Sequence, residues 1–165
     1  VVHGGTGLNF DDIHAKTQHL FDEAARRGIA TVGIGDGGNE IGFGLIHDTV
    51  REVLPAGAKC VCPCGGGTAA RVATDVLVVA AISNWGGYGV ATNIAFMLKK
   101  PQVMVTADTV ERMLRNCVEA GALDGVFARP MLSDDGVPLA ASRALADTLT
   151  TLVGVALSEV DSPGH

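Results

Sequence analysis

The stretch that decides the fold is Gly33-Ile-Gly-Asp-Gly-Gly-Asn-Glu-Ile-Gly-Phe-Gly44. It follows a β-prone run at residues 29–34 and precedes apolar residues at helical spacing, which predicts a strand, a glycine loop and a helix in that order. Its six glycines allow tight turns and a close approach of backbone to a ligand. Because open α/β sheets bind ligands at such strand ends, we predict that this loop forms the active site of an α/β fold.

The alternation of strands and helices continues along the chain. Residues 76–82 form an apolar, valine-rich run, typical of a central strand covered on both faces, and residues 102–105 are a further strand candidate. Helices are predicted at residues 13–27, 46–54, 90–98 and 110–118 and from Pro138 onward, with Asp108 and Glu111 capping the fourth. We therefore expect one α/β domain over residues 1–165, in a Rossmann-like three-layer arrangement with a largely parallel sheet and Gly-rich loops at the carboxyl ends of its strands.

Composition and charge exclude several classes of partner. With 47% hydrophobic and 18% charged residues, the 165-residue chain has enough apolar material for a compact core. The net charge of −6 and the absence of basic clusters argue against nucleic acid, and residues 76–82 are too short to span a membrane. Because it starts at Val1 without a leader, we expect the C-terminal part of a longer protein, cytoplasmic or in the mitochondrial matrix, with disorder at Asp161–His165.

The glycine loop carries two acids, Asp36 and Glu40, four residues apart. Two carboxylates supply the hard oxygen ligands that Mg²⁺ or Mn²⁺ prefers. Alternatively, the acids cap the following helix and favour its positive end. A dinucleotide site is not favoured, since the carboxylates would repel a pyrophosphate, and we expect no nucleotide or redox cofactor.

A second polar group, Ser83-Asn84-Trp85, follows the predicted central strand. If the two strands are parallel neighbours, the hydroxyl, amide and indole face the same edge as the acidic loop and orient a ligand. The alternative is an ordinary turn with an Asn cap and with Trp85 packed in the core.

The cysteines do not form a disulfide framework, which favours a reducing compartment. Three of them, Cys60, Cys62 and Cys64, alternate along an extended chain and point to one side. Because zinc sites favour C-x2-C pairs and four ligands, we do not predict a structural zinc site. The histidines lack metal-binding spacing and are predicted to be surface or packing residues: His3, His14, His19 and His47.

Two motifs in order, Gly-Ile-Gly-Asp-Gly-Gly-Asn-Glu-Ile-Gly (33–42) and Ser-Asn-Trp-Gly-Gly-Tyr-Gly (83–89), resemble the C-terminal domain of D-glutamate cyclases. The likeness also takes in residues 20–34, 74–75 and 126–138. It implies that the partner is a small amino acid: the amine of D-glutamate attacks its own γ-carboxyl group, water leaves, and 5-oxo-D-proline forms. The implied enzyme is a hydro-lyase, and a homo-oligomer is left open.

The implied lactam formation needs a base, an electrophile and an acid. Under the resemblance, Asp36 and Glu40 hold a divalent cation that serves as the electrophile, and Asp75 acts as the base or as a partner of the metal ligands. The substrate-binding residues would be Gly37, Gly38, Asn39, Ser83, Asn84 and Trp85.

Two other functions stay open. Gly35-Asp-Gly-Gly-Asn-Glu40 also looks like the Mg²⁺-binding motif of haloacid-dehalogenase-type phosphatases. Those enzymes require an Asp-x-Asp nucleophile motif, and none occurs in these residues. The third possibility is a non-catalytic domain that binds a metal or a ligand.

Overall fold

The structure is a computed structural model that describes residues 3–4, 7–12 and 14–160. It divides into two compact units, Val1–Ser83 and Asn84–His165. This division does not decide whether the chain folds as one domain, so the single-domain expectation stays a prediction. Ile13, predicted to open the first helix, and the tail at residues 161–165, predicted to be disordered, lie outside the described residues.

The first unit alternates helices and strands as predicted. Its elements are α1 (Gln18–Arg27), β1 (Val32–Gly35), a 3-10 turn (Gly44–Ile46), α2 (His47–Val53), α3 (Pro55–Ala58) and β2 (Val76–Val79). Helix α1 ends at Gly28, whose left-handed φ of 64° lets its N–H bond back to the last turn. Strands β1 and β2 pair in parallel, with Val32 opposite Val76 and Gly35 opposite Val79.

The second unit is mainly helical. Its elements are α4 (Ser83–Met97, starting at the last residue of the first unit), a 3-10 turn (Pro101–Val103), α5 (Ala107–Glu119), β3 (Ser133–Asp134), β4 (Val137–Pro138) and α6 (Leu139–Val160). Its core is formed by two clusters of buried side chains: Tyr88, Ala107, Val110 and Ala146 in one, and Ala95, Met104 and Val153 in the other. Helix α6 begins directly after Pro138, as predicted. No described helix is long and apolar enough to cross a membrane.

The Rossmann-like three-layer arrangement is a wrong prediction. The described residues form a mixed α/β structure with two sheets of two strands each, β1–β2 and β3–β4. Val76 and Val79 are 52% and 60% exposed, so β2 is not covered on both faces. Residues 102–105 form no strand, because Pro101, which lacks an N–H and has a fixed φ, opens a 3-10 turn instead. An apolar run predicts a strand but does not show how many neighbours it has.

Three helix starts also differ from the predictions. Residues 14–17 are not helical, so α1 begins at Gln18 and not at residue 13. Ser83–Gly87, predicted as a loop, is the first part of α4. Glycines in a helix cost up to about 1 kcal/mol each relative to alanine, but Gly86 and Tyr88 are buried in α4, and packing outweighs this propensity. In α5 the cap is Thr106, whose Oγ1 accepts the N–H of Thr109, and not Asp108.

Candidate active site and a histidine-cysteine cluster

The glycine loop, residues 33–44, folds back beside its own strand. The N–H of Gly42 donates to the carbonyl of Val72 at 2.8 Å, and the N–H of Ala70 donates to the carbonyl of Gly38 at 2.9 Å. A Cβ atom on Gly33 would lie 2.6 Å from the Cα of Gly42, so the crossing of these two backbones requires glycine. The loop is therefore held against residues 70–72 by backbone contacts.

Asp36 follows β1 and binds the residue that starts α4. Its Oδ2 accepts the N–H of Ser83 at 2.7 Å and the Ser83 hydroxyl at 2.6 Å. A carboxylate at the first N–H groups of a helix satisfies a donor and interacts favourably with the helix dipole. The structure thus brings Asp36 and Ser83 together, whereas neither the 3-10 turn nor α2, which follow the loop, has the side-chain cap hydrogen bond of the capping alternative.

Glu40 differs from Asp36 because half of its carboxylate has no partner. Its Oε1 accepts the N–H of Gly37 at 3.0 Å, whereas Oε2 is buried and has no hydrogen-bond partner among the described residues. A Cβ atom on Gly35 would lie 2.9 Å from Oε2, so glycine makes room for this oxygen. Leaving a buried acceptor unpaired costs about 1–3 kcal/mol, which marks Glu40 as a candidate functional group.

A cavity of about 750 Å³ adjoins the loop within the first unit. Its lining includes Asn39 and Glu40 from the loop together with a cation, an aromatic ring and two imidazoles from other segments: Arg71, Phe10, His3 and His14. This volume suits a small molecule, and a wall that combines apolar surface with a few polar groups is typical of ligand sites. The amide of Asn39 donates to the carbonyl of His3 at 3.2 Å, so Asn39 is held by another lining residue.

Asp75 lies away from this edge. It precedes β2 and accepts the backbone N–H and the hydroxyl of Thr31 at 2.7 and 2.8 Å. These bonds, the backbone one first, lower the pKa of Asp75. Asp36 and Ser83 lie at the other end of the strand pair, about 16 Å away, because Asp36 is level with Ala80, five residues beyond Asp75. The structure does not bring Asp75 together with Asp36.

Asn84 and Trp85 belong to the second unit, and both form hydrogen bonds within it. The Asn84 amide donates to Oδ1 of Asp134 at 2.9 Å, and the Trp85 indole donates to the Ser142 hydroxyl at 2.9 Å. Asp134 is 2% exposed and also accepts the Tyr88 hydroxyl at 3.1 Å. Burial and then the negative charge of Asp134 raise the pKa of Tyr88 to about 12, so the phenol stays protonated as a donor.

A group of soft ligands lies at the edge of the cavity, hereafter the His/Cys cluster: His3, Cys60, Cys62 and Cys64. Their ligand atoms all lie within 4.8 Å of one another. Within residues 3–4, 7–12 and 14–160 this is the one set of three or more such side chains placed to hold a metal ion, and Asp36 and Glu40 are not in it. Imidazole and thiol ligands suit zinc better than Mg²⁺ or Mn²⁺, so a metal at this cluster would be softer than the predicted one.

Burial raises the pKa of Cys60, but hydrogen bonds from Cys64, from the N–H of Gly67 and from Cys62 outweigh it and bring the pKa to about 6. The prediction that the cysteines hold no zinc considered only their own spacing. His3, far away in the sequence and predicted to be a surface or packing residue, brings the number of candidate ligands to four.

A family model described as "D-glutamate cyclase-like, C-terminal" matches residues 1–150. The chain belongs to this D-glutamate cyclase-like family. It is also 41% identical over 64 residues to human "D-glutamate cyclase, mitochondrial". That alignment covers 39% of the chain and 9% of the human protein. The family recognised from the two motifs is thereby confirmed.

Several polar residues of this D-glutamate cyclase-like domain escaped the sequence analysis. Arg71 and His14 line the cavity but sit in no motif. Asp124 is 6% exposed, and its Oδ2 accepts Ser133 Oγ at 2.5 Å and Gly136 N–H at 2.8 Å. The Asp135-Gly136 dipeptide, with φ of 51° and 81°, turns β3 into β4. This dipeptide is a strong hairpin signal and would have revealed the turn.

Proposed function

We propose that this domain cyclises D-glutamate to 5-oxo-D-proline and water in the cavity beside the glycine loop. Its support is the family match over residues 1–150 and the printed name of the human relative. The observation that carries the assignment to this cavity is Glu40, which lines it and whose Oε2 is buried without a hydrogen-bond partner among the described residues. An acidic oxygen that the fold leaves unused is suited to exchange a proton with a substrate.

The reaction joins the substrate nitrogen to the carbon of its γ-carboxyl group and releases one oxygen of that group as water, which carries away two of the three ammonium protons. The ammonium group must first lose a proton, because only the free amine is a nucleophile. Glu40 is proposed as the group that accepts it, and Arg71, which lines the same cavity, as the cation that pairs with a substrate carboxylate. Asn39, fixed through its amide to the carbonyl of His3, keeps an oxygen for the substrate.

A divalent cation held by Asp36 and Glu40 is the alternative role for the same oxygen, because a carboxylate oxygen that binds a cation no longer accepts the substrate proton. Such an ion would supply a Lewis acid for the γ-carboxyl group. Oδ2 of Asp36 already accepts two hydrogen bonds from Ser83, whereas Oε2 of Glu40 has no partner. Titration with Mn²⁺ followed by electron paramagnetic resonance tests the site. Loss of Mn²⁺ binding in Glu40→Gln is expected, and unchanged binding would remove the ion from these carboxylates.

Incubation with D-glutamate and, separately, L-glutamate tests the activity. We expect consumption of the D enantiomer and formation of 5-oxo-D-proline, measured by chiral chromatography. Untouched D-glutamate with release of phosphate from phosphate esters would instead support the phosphatase reading. Calorimetric binding of D-glutamate without turnover would support a non-catalytic domain. The compartment and a homo-oligomeric state stay predictions.

A further inference from the structure

We propose that His3, Cys60, Cys62 and Cys64 bind one structural zinc ion. This inference is independent of the proposed cyclase activity. Three sulfurs and one imidazole nitrogen form a complete tetrahedral ligand set, and a site with four protein ligands and no open position is typical of structural zinc.

The four ligand atoms already converge on one point. The sulfurs of Cys60, Cys62 and Cys64 are 3.1–3.5 Å apart, and Nε2 of His3 lies 3.2 Å from Cys62 Sγ and 3.3 Å from Cys64 Sγ. Zn–S bonds of about 2.3 Å in a tetrahedron separate sulfurs by about 3.8 Å. Side-chain movements of up to about 1 Å accommodate the ion, since the sulfurs must separate by about 0.3–0.7 Å and all four ligand atoms lie within 4.8 Å of one another.

The surroundings of the cluster suit thiolates. The N–H of Gly66 donates to Cys64 Sγ at 3.4 Å, and the N–H of Gly67 donates to Cys60. Such donors stabilise charged sulfur and orient metal ligands. Arg51 donates to the carbonyl of Gly66 at 2.8 Å and brings a positive charge to the loop. Three thiolates with Zn²⁺ and a neutral imidazole carry one net negative charge, which this guanidinium partly offsets.

The ion would fasten two segments that are distant in sequence. It would tie His3 to the cysteine loop, residues 60–64, and the carbonyl of His3 already accepts the amide of Asn39 in the glycine loop. Zinc binding would therefore stabilise the first unit and one wall of its cavity, since metal-binding free energy contributes to folding.

Metal analysis of the untagged, purified protein is the first test. Elemental mass spectrometry should find about one zinc ion per chain. Cobalt substitution should give thiolate-to-metal charge-transfer bands and the visible spectrum of a tetrahedral site. In the native protein one thiol, the exposed Cys117, should react rapidly with a thiol reagent, and all four should react after chelation and denaturation.

Variants then identify the ligands. Cys64→Ser and His3→Ala should each weaken zinc binding at least tenfold in competition with a chromogenic chelator. Cys117→Ser and His19→Ala are the matched controls, because both positions are exposed and lie outside the cluster, and they should bind zinc as the unchanged protein does.

Three results would overturn the proposal: no zinc in the unchanged protein even after reconstitution under reducing conditions, a disulfide among the three cysteines of the freshly purified reduced protein, or full zinc affinity in both ligand variants. The first two use the unchanged chain, so a variant that fails to fold leaves the test intact.

Discussion

Glu40 and Asp124 are both carboxylates in glycine-containing connections, yet the fold treats them in opposite ways. Asp124 accepts four hydrogen bonds, two at each oxygen: Val126 and Phe127 N–H at 2.9 Å each, Ser133 Oγ and Gly136 N–H. These bonds, that of Ser133 first, lower its pKa to about 2. Glu40 accepts one hydrogen bond and keeps one bare buried oxygen. Asp124, whose two oxygens are both fully hydrogen-bonded, organises a loop. Glu40 lines a cavity and has an unpaired oxygen, so its carboxylate can still bind a ligand.

The largest expected effect is on turnover in Glu40→Gln. If Glu40 exchanges a proton with the substrate, turnover of D-glutamate should fall at least about 100-fold, equivalent to about 3 kcal/mol of barrier. The free energy of unfolding should change by less than about 1 kcal/mol, because Oε2 has no partner to lose. Enzyme assays with chemical denaturation measure both. Glu52→Gln, an exposed change in α2, is the control. A Glu40→Gln variant that keeps its activity but loses stability would show that Glu40 is a structural and not a functional carboxylate.

Asp124→Asn should do the opposite. Replacing a carboxylate with an amide places an NH₂ group against backbone and hydroxyl donors, and we expect a loss of about 3 kcal/mol in the free energy of unfolding. Turnover per folded molecule should be unchanged. Urea denaturation measures the loss, with the exposed Asp12→Asn as the matched control. Full stability in Asp124→Asn would show that its hydrogen bonds do not hold the connection.

Lowering the pH should destabilise the fold by protonating Asp124. The pKa of Asp124 is about 2 in the folded chain, below its unfolded value near 3.8, so its contribution is present above about pH 4 and is lost as the pH falls towards 2. Protonating Asp124 should lower the free energy of unfolding by about 2 kcal/mol. Unfolding free energies measured from pH 5 to 2 should show it, and the step should be missing from Asp124→Asn.

Ser133→Ala should give the smallest effect. It removes one of four donors to Asp124, the hydroxyl at 2.5 Å, and should cost about 1 kcal/mol of unfolding free energy. The pKa of Asp124 should rise, since Ser133 is the largest cause of its lowering. Carboxyl chemical shifts followed through a pH titration measure this. A pKa that does not move would mean that the backbone donors alone hold the charge.

The sequence predicted the parts of the site that depend on local pattern. The β-prone run before Gly33 and the apolar run after Asp75 do form the parallel pair β1–β2, and this pairing brings Asp36 to Ser83. Glycines and strand ends are visible in a linear sequence because the backbone conformation that they require is local.

Other parts depend on contacts between distant segments. His3 meets Cys60, Cys62 and Cys64 only in the folded chain, so no spacing rule could join them. Arg71 reaches the cavity because residues 70–72 lie against the glycine loop, and nothing in its neighbourhood marks it beforehand. The helical start of α4 runs against the propensity of its glycines, and burial of Gly86 and Tyr88 decides it.

The crossing of Gly33 and Gly42 makes these two positions a practical filter for sequence searches and for directed evolution. A single methyl group at either one would meet the other backbone at 2.6–2.8 Å. A homologue with a larger residue at either site must therefore route its acidic loop differently, and transferring Asp36 or Glu40 to it by alignment would place the wrong residue in the cavity. In a mutant library selected for folding, both positions should remain glycine even where the surrounding loop is free to vary.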